Sequence, residues 1–162
     1  MSQIMNRKIS GYASLFSSTD LGGDMIMAGA FRASLAKQQP RDIKMLYQHD
    51  ITRPIGQWLN IRETEKGLWV EGQLTEHVQL ADETLALIAD GVLDGLSIGF
   101  RTIRAKASKG HIKRRLIEIQ LVEISLVTFP MQPDARLKKS AASSQTITEL
   151  RCAGARMREL AG

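Results

Sequence analysis

A chain of 162 residues is long enough for one domain with its own core and a short appendage. Only 5% of residues are aromatic, and no apolar run reaches the roughly 18 residues that span a bilayer, so a soluble protein without membrane partners is expected. The formal charge of +5 raises the question of an acidic partner, while the single cysteine, Cys152, excludes an intramolecular disulfide and fits a reducing compartment.

Residues 1–10 carry Arg7 and Lys8 with no apolar segment behind them, so no secretory leader is expected there. Residues 9–16 read as a strand, followed by a Ser/Thr/Asp/Gly loop and a short strand at Met25 to Met27. Phe31 and Leu35 stand one helical turn apart in residues 30–37, and Pro40 ends that helix. Residues 43–47 form a strand that delivers His49 to its end, before Pro54 and Gly56. Residues 55–62 and 67–74 read as an antiparallel pair, with Trp58 and Trp69 as packing residues. Ala81, Leu85 and Ile88 recur at helical intervals up to Gly91.

A strand carrying Ser97 follows, in Gly95-Leu96-Ser97-Ile98-Gly99-Phe100. The positive charge is concentrated in residues 101–115, where Arg101, Arg104, Lys106, Lys109, Lys113, Arg114 and Arg115 stand without an acid among them. A turn at Lys109-Gly110 makes this a basic hairpin, either a solvated loop or a contact surface for acidic protein or nucleic acid. Residues 116–130 form the longest strand-like stretch. The composition then shifts, which divides the chain into a domain at 1–137 and a linker with a tail helix at 138–162.

No HExxH, paired-cysteine or GxxxxGK[ST] pattern is present, so neither a metal nor a phosphate-binding cofactor is expected. Nucleophilic catalysis remains, and it needs a hydroxyl, a base within hydrogen-bond reach and a group that orients the base. Ser97 and Ser125 are the candidate hydroxyls. Of the histidines, His49 sits beside glycine and proline turns, whereas His77 and His111 lie in polar segments. Glu123 stands inside Leu121 to Val127, where an unpaired acid is costly. Alternation sets Glu123, Ser125 and Val127 on one face and Val122, Ile124 and Leu126 on the other. An edge strand whose glutamate reaches water or a hairpin arginine explains the same pattern, and Glu118 is a rival acid.

Five segments in order carry a resemblance: ISGYASLF at 9–16, GDMIMAGAFRASL at 23–35, MLYQHDITRPIG at 45–56, GLSIGF at 95–100 and EISLVTFP at 123–130. Together they resemble the prohead protease family of tailed bacteriophages, over about residues 9–137. That family comprises serine peptidases and is distantly similar to the herpesvirus assemblin proteases. The resemblance implies a β-rich α+β fold, an assemblin-like β-barrel with flanking helices. It implies His49 and Ser97 as catalytic residues and, 26 positions after Ser97, Glu123 as third member in place of the assemblin histidine, with His111 as the fallback. Arg101 is a candidate for the oxyanion.

The implied substrate is the major capsid protein precursor with its scaffolding region. The chain itself, through autoprocessing near residues 138–144, and a second copy in a homo-oligomer are further partners. The implied place of action is the assembling prohead in the bacterial host cytoplasm. Nucleic acid is not an expected partner under this reading; the alternative is a non-catalytic capsid-assembly or nucleic-acid-binding protein that uses the hairpin at 101–115. Met131-Gln132, where small residues commonly follow the proline, departs from the family pattern.

Overall fold

The computed structural model of the chain describes residues 7–138. Among these residues the strands are β1 (Lys8–Leu15), β2 (Asp24–Ile26), β3 (Lys44–Tyr47), β4 (Asp50–Glu63), β5 (Gly67–Leu74), β6 (Gly95–Ala107) and β7 (Arg114–Val127). The helices are α1 (Arg32–Lys37) and α2 (Gln79–Ala89), with one 3-10 turn at Pro40–Asp42. Within residues 7–138 the elements expected from the sequence are present with shifted ends. The strand through Ser97 runs on to Ala107, and the long one after it stops at Val127, short of Pro130.

Period-two patterning gives the strands an apolar face, and strand twist and the bulges in the ladders curl the sheet so that these faces enclose one core. In β5, Leu68, Val70 and Leu74 are buried while Trp69, Glu71 and Gln73 turn outward. Trp58, Phe31, Ile43, Met45, Leu96 and Ile124 fill the interior, each aliphatic contributing about 1.5–3 kcal/mol by leaving water. Trp69 packs edge-on against Tyr12, its cross-strand partner, at 5.0 Å between ring centres. The Trp58 indole N–H is the one buried side-chain polar atom without a partner among the described residues.

The sheet runs β1-β5-β4-β3-β7, with β6 antiparallel along the other edge of β7. β3 and the short β2 share the first edge, parallel to β7 at Glu123 to Leu126 and Arg114 to Leu116 respectively. The two ends of the sheet, β1 and β6, are joined by the chain after Pro133. There Tyr12 donates to Arg136, Lys138 to Ser10, Leu96 to Ala135 and Leu137 to Asp94 through backbone hydrogen bonds of 2.7–3.2 Å. Gly11 makes this seam tight, because a Cβ there would collide with the Arg136 carbonyl. A β-barrel results, with α1 packed on β7 and α2 against β4 and β5. The linker and tail helix expected at 138–162 fall, beyond Lys138, outside the described residues.

The far half of β6 and the turn after it form an exposed ribbon alongside β7, whose Leu116 and Ile119 remain in the core. Every residue from Arg101 to Ala107 is exposed. Arg104 pairs with Glu118 at 3.6 Å and Arg114 with Asp24, while Arg101, Lys106, Lys109 and Lys113 project without an acidic partner among the described residues.

Candidate active site

β7 carries the centre of the site. It is an interior strand, so Glu123 neither sits on an edge nor meets a hairpin arginine. The alternation expected along β7 fails at one place. Gly99 faces Glu123 and Phe100 faces Leu121, which makes Val122 the extra residue of a β-bulge. Val122 is therefore 42% exposed instead of sharing the core face with Ile124 and Leu126, while Leu121 takes the inward position. Past the bulge, Glu123 and Ser125 point to the outer side of the barrel wall.

Ser97 lies on the same side. It is paired with Ser125 in the β6–β7 ladder, and residues directly opposite in an antiparallel pair project together, their Cβ atoms about 4.5–5.5 Å apart. Gly99 opposes Glu123, and a Cβ there would lie 2.8 Å from Glu123 Cδ and closer still to Oε1. Only glycine leaves space for the carboxylate. Ser97 is 4% exposed, and no other described residue engages its hydroxyl, which keeps contact with solvent.

His49 reaches this face from the β3–β4 connection. Tyr47 pairs with Asp50, leaving Gln48-His49 as a two-residue hairpin loop. Both residues have positive φ, 55° and 60°, the requirement of a type I′ turn that Asn-Gly usually meets. For non-glycine residues this conformation costs of order 1–3 kcal/mol each. The turn is held on β7 by Gln48 N–H donating to Leu126 O (2.9 Å) and His49 N–H donating to Ser125 Oγ (3.1 Å). The Gln48 amide also clasps Thr128, donating to its Oγ1 (2.7 Å) and accepting from its N–H (3.2 Å).

Thus the turn presents the imidazole to the carboxylate. His49 Nδ1 lies 2.6 Å from Glu123 Oε1, and because a carboxylate only accepts, Nδ1 carries the proton. The hydrogen bond to Glu123 and its negative charge raise the His49 pKa above its ordinary value, against a smaller opposing effect of burial. Nε2 is left free for a substrate or nucleophile. Ser125 donates to the other carboxylate oxygen at 2.7 Å, so its proton is already committed and its side chain is fully buried. Those facts fit a supporting group rather than a nucleophile.

His111 lies exposed at the ribbon turn, His77 is exposed before α2, and Glu118 faces Arg104. Arg101 shares the Ser97 face of β6 but stands four residues along, about 13 Å, beyond what its side chain covers alone. Among the described residues, no group of three or more His, Cys, Asp or Glu side chains is placed to hold a metal. The contributions of Gln48, Thr128 and Gly99 were missed in the sequence. The spacing of two residues between paired strands was the available signal for the turn.

The arrangement joins an acid, an imidazole with one free nitrogen and, one strand away, an unengaged hydroxyl. The chain is similar to known proteins over most of its length. Residues 2–149 match the family model described as caudovirus prohead serine protease. The prohead protease of Enterobacteria phage HK97 is 38% identical over 144 residues, covering 86% of this chain and 64% of that protein. The chain thus spans less than two thirds of that relative's length. Among solved structures, the protease of Kaposi's sarcoma-associated herpesvirus superposes with a TM-score of 0.59 at 13% identity, over 90% of this chain and 76% of that one. The capsid assembly protease of bacteriophage T4 gives 0.59 at 12% identity, over 74% and 80%. These two establish the assemblin-like fold. By the match along nearly its whole length, the chain belongs to the caudovirus prohead serine protease family.

Proposed function

We propose that the chain is a serine endopeptidase that cleaves the capsid protein precursor, in its scaffolding region, during prohead maturation, with Ser97, His49 and Glu123 as its catalytic residues. The observation that carries this is the 2.6 Å contact of His49 Nδ1 with Glu123, made beside the hydroxyl of Ser97 across the β6–β7 ladder. Ser97 Oγ attacks the scissile carbonyl while His49 Nε2 takes its proton and then hands it to the leaving amine. Water attacks the acyl-enzyme by the same route in reverse. By binding Nδ1–H, Glu123 leaves Nε2 as the basic nitrogen, and it stabilises the imidazolium that forms. The basicity conferred by this pairing is what a general base requires.

The reaction takes place in the unfilled prohead within the bacterial host, where enzyme and precursor are packed together. The small, polar composition of residues 138–144 supports them as the site of self-cleavage. The test is co-expression of capsid precursor with the wild-type chain and with Ser97→Ala, read by intact mass. Processing should disappear in the variant while its thermal unfolding is unchanged. Equal processing by both proteins would sink the proposal.

A further inference from the structure

We infer that Ser125 is a positioning residue of this site, its hydroxyl tying the backbone of the His49 turn to the Glu123 carboxylate. The inference rests on the catalytic reading above and goes beyond it. The contacts form a closed circuit that begins and ends on one residue. His49 N–H donates to Ser125 Oγ at 3.1 Å, Ser125 O–H donates to Glu123 Oε2 at 2.7 Å, and Glu123 Oε1 receives the His49 Nδ1 proton at 2.6 Å. One hydroxyl therefore sets both the base and the acid that orients it.

Each partner has another anchor, Gln48 N–H on Leu126 O for the turn and the His49 Nδ1 contact for the carboxylate, and Ser125 adds the constraint that couples them. The terminal torsion of a glutamate is broad, so a single contact to Nδ1 leaves the carboxylate plane free to rotate. The second oxygen is held by Ser125, which is itself 0% exposed and fixed in the ladder between Ser97 on one side and Leu46 on the other. The His49 backbone, at φ +60°, is in a conformation that relaxes unless it is anchored. Glu123 is the titratable group that meets the imidazole from β7. Asp50, next to His49 at the start of β4, is turned to Thr52 and Arg53. The Gln48–Thr128 clasp holds the other end of the turn and touches neither the imidazole nor the carboxylate.

Ser125→Ala tests the assignment, with Ser125→Cys, which keeps a γ atom but only a weak S–H donor, read in the same way if the alanine variant does not fold. With a peptide drawn from the capsid precursor, kcat should fall by about 10- to 100-fold and KM should stay within twofold. The acid limb of the pH profile should move down. The same downward movement should appear in the NMR titration of the His49 imidazole in Ser97→Ala/Ser125→Ala against Ser97→Ala, where no turnover is needed. A kcat within threefold of wild type, or a loss of kcat with an unmoved imidazole titration, overturns the inference. Activity retained by Ser97→Ala would instead overturn the catalytic reading, and the two failures are seen in separate proteins.

Discussion

Gly99→Ala is the sharpest probe of the packing behind the site, because two ordinary effects oppose each other there. In a strand interior, alanine is usually better than glycine by about 0.5–1 kcal/mol, since glycine loses more backbone freedom on folding. At this position the new methyl would stand 2.8 Å from Glu123 Cδ and 2.9 Å from Cγ, and nearer to Oε1. Accommodating it by overpacking costs about 1–3 kcal/mol. Moving the carboxylate away instead breaks its hydrogen bonds to His49 and Ser125, each worth about 1.5–3 kcal/mol as bonds to a charged group. Either route exceeds the entropic gain. The variant should unfold several degrees below wild type, since about 1 kcal/mol corresponds to a shift of about 2–8 °C across domains of this size range. With the catalytic roles and substrate proposed above, its kcat/KM on a precursor peptide should fall by about 100-fold through displacement of His49. Differential scanning calorimetry and steady-state kinetics measure the two quantities. A melting temperature equal to or above wild type, together with kcat/KM within threefold, would refute the reasoning.

Glu123→Gln keeps the shape of the acid but removes the charge that raises the His49 pKa; kcat should fall by about 100- to 10,000-fold and the acid limb of kcat/KM should move down. The same pair links stability to pH. Because the folded pKa of His49 is raised, its contribution is complete below the ordinary value of 6.5 and is lost as pH rises through the folded value. The melting-temperature gap between wild type and Glu123→Gln should therefore be larger at acid pH than at alkaline pH, and a gap that widens with pH would contradict the assignment. Gly11→Ala should loosen the seam between β1 and the chain at Arg136, lowering the melting temperature and exposing residues beyond Pro133 to added protease; unchanged proteolysis would mean that the seam does not depend on that close approach. Leu96→Ala, at a fully buried position beside Ser97, should cost about 2–5 kcal/mol in denaturant unfolding.

Much of this architecture was legible in residue patterning, because burial repeats with a local period. Leu68, Val70 and Leu74 announce one face of β5, and Ala81 and Leu85 the buried stripe of α2. The acid inside Leu121 to Val127 was legible for a different reason: its burial demanded a partner. What alternation misplaced was Val122, since a bulge depends on how two strands distant in sequence come into register, and no local pattern encodes that. The closure of the barrel by residues 135–138 is hidden in the same way. Those four residues, Ala-Arg-Leu-Lys, carry no strand signal of their own and acquire extended structure from the β1 and β6 edges that they join.

The His49 turn shows why a site is harder to read than its scaffold. Its sequence, Gln-His, opposes the conformation it adopts, whereas Asn-Gly would take the type I′ turn readily. A glycine there would relax the backbone but could not supply an imidazole, which under the proposed mechanism is why local preference yields. The stabilisation comes from outside the turn, through Leu126, Ser125 and Thr128, and all three lie on or just after the strand that carries Glu123. β7 therefore supplies the acid and also holds the backbone that presents the base. Because Ser97 is fixed against the same strand, the acid, the base and the hydroxyl share one reference frame. Displacing β7 by a single register step would disconnect all three groups, which makes the β6–β7 ladder, rather than any individual contact, the feature on which the geometry depends.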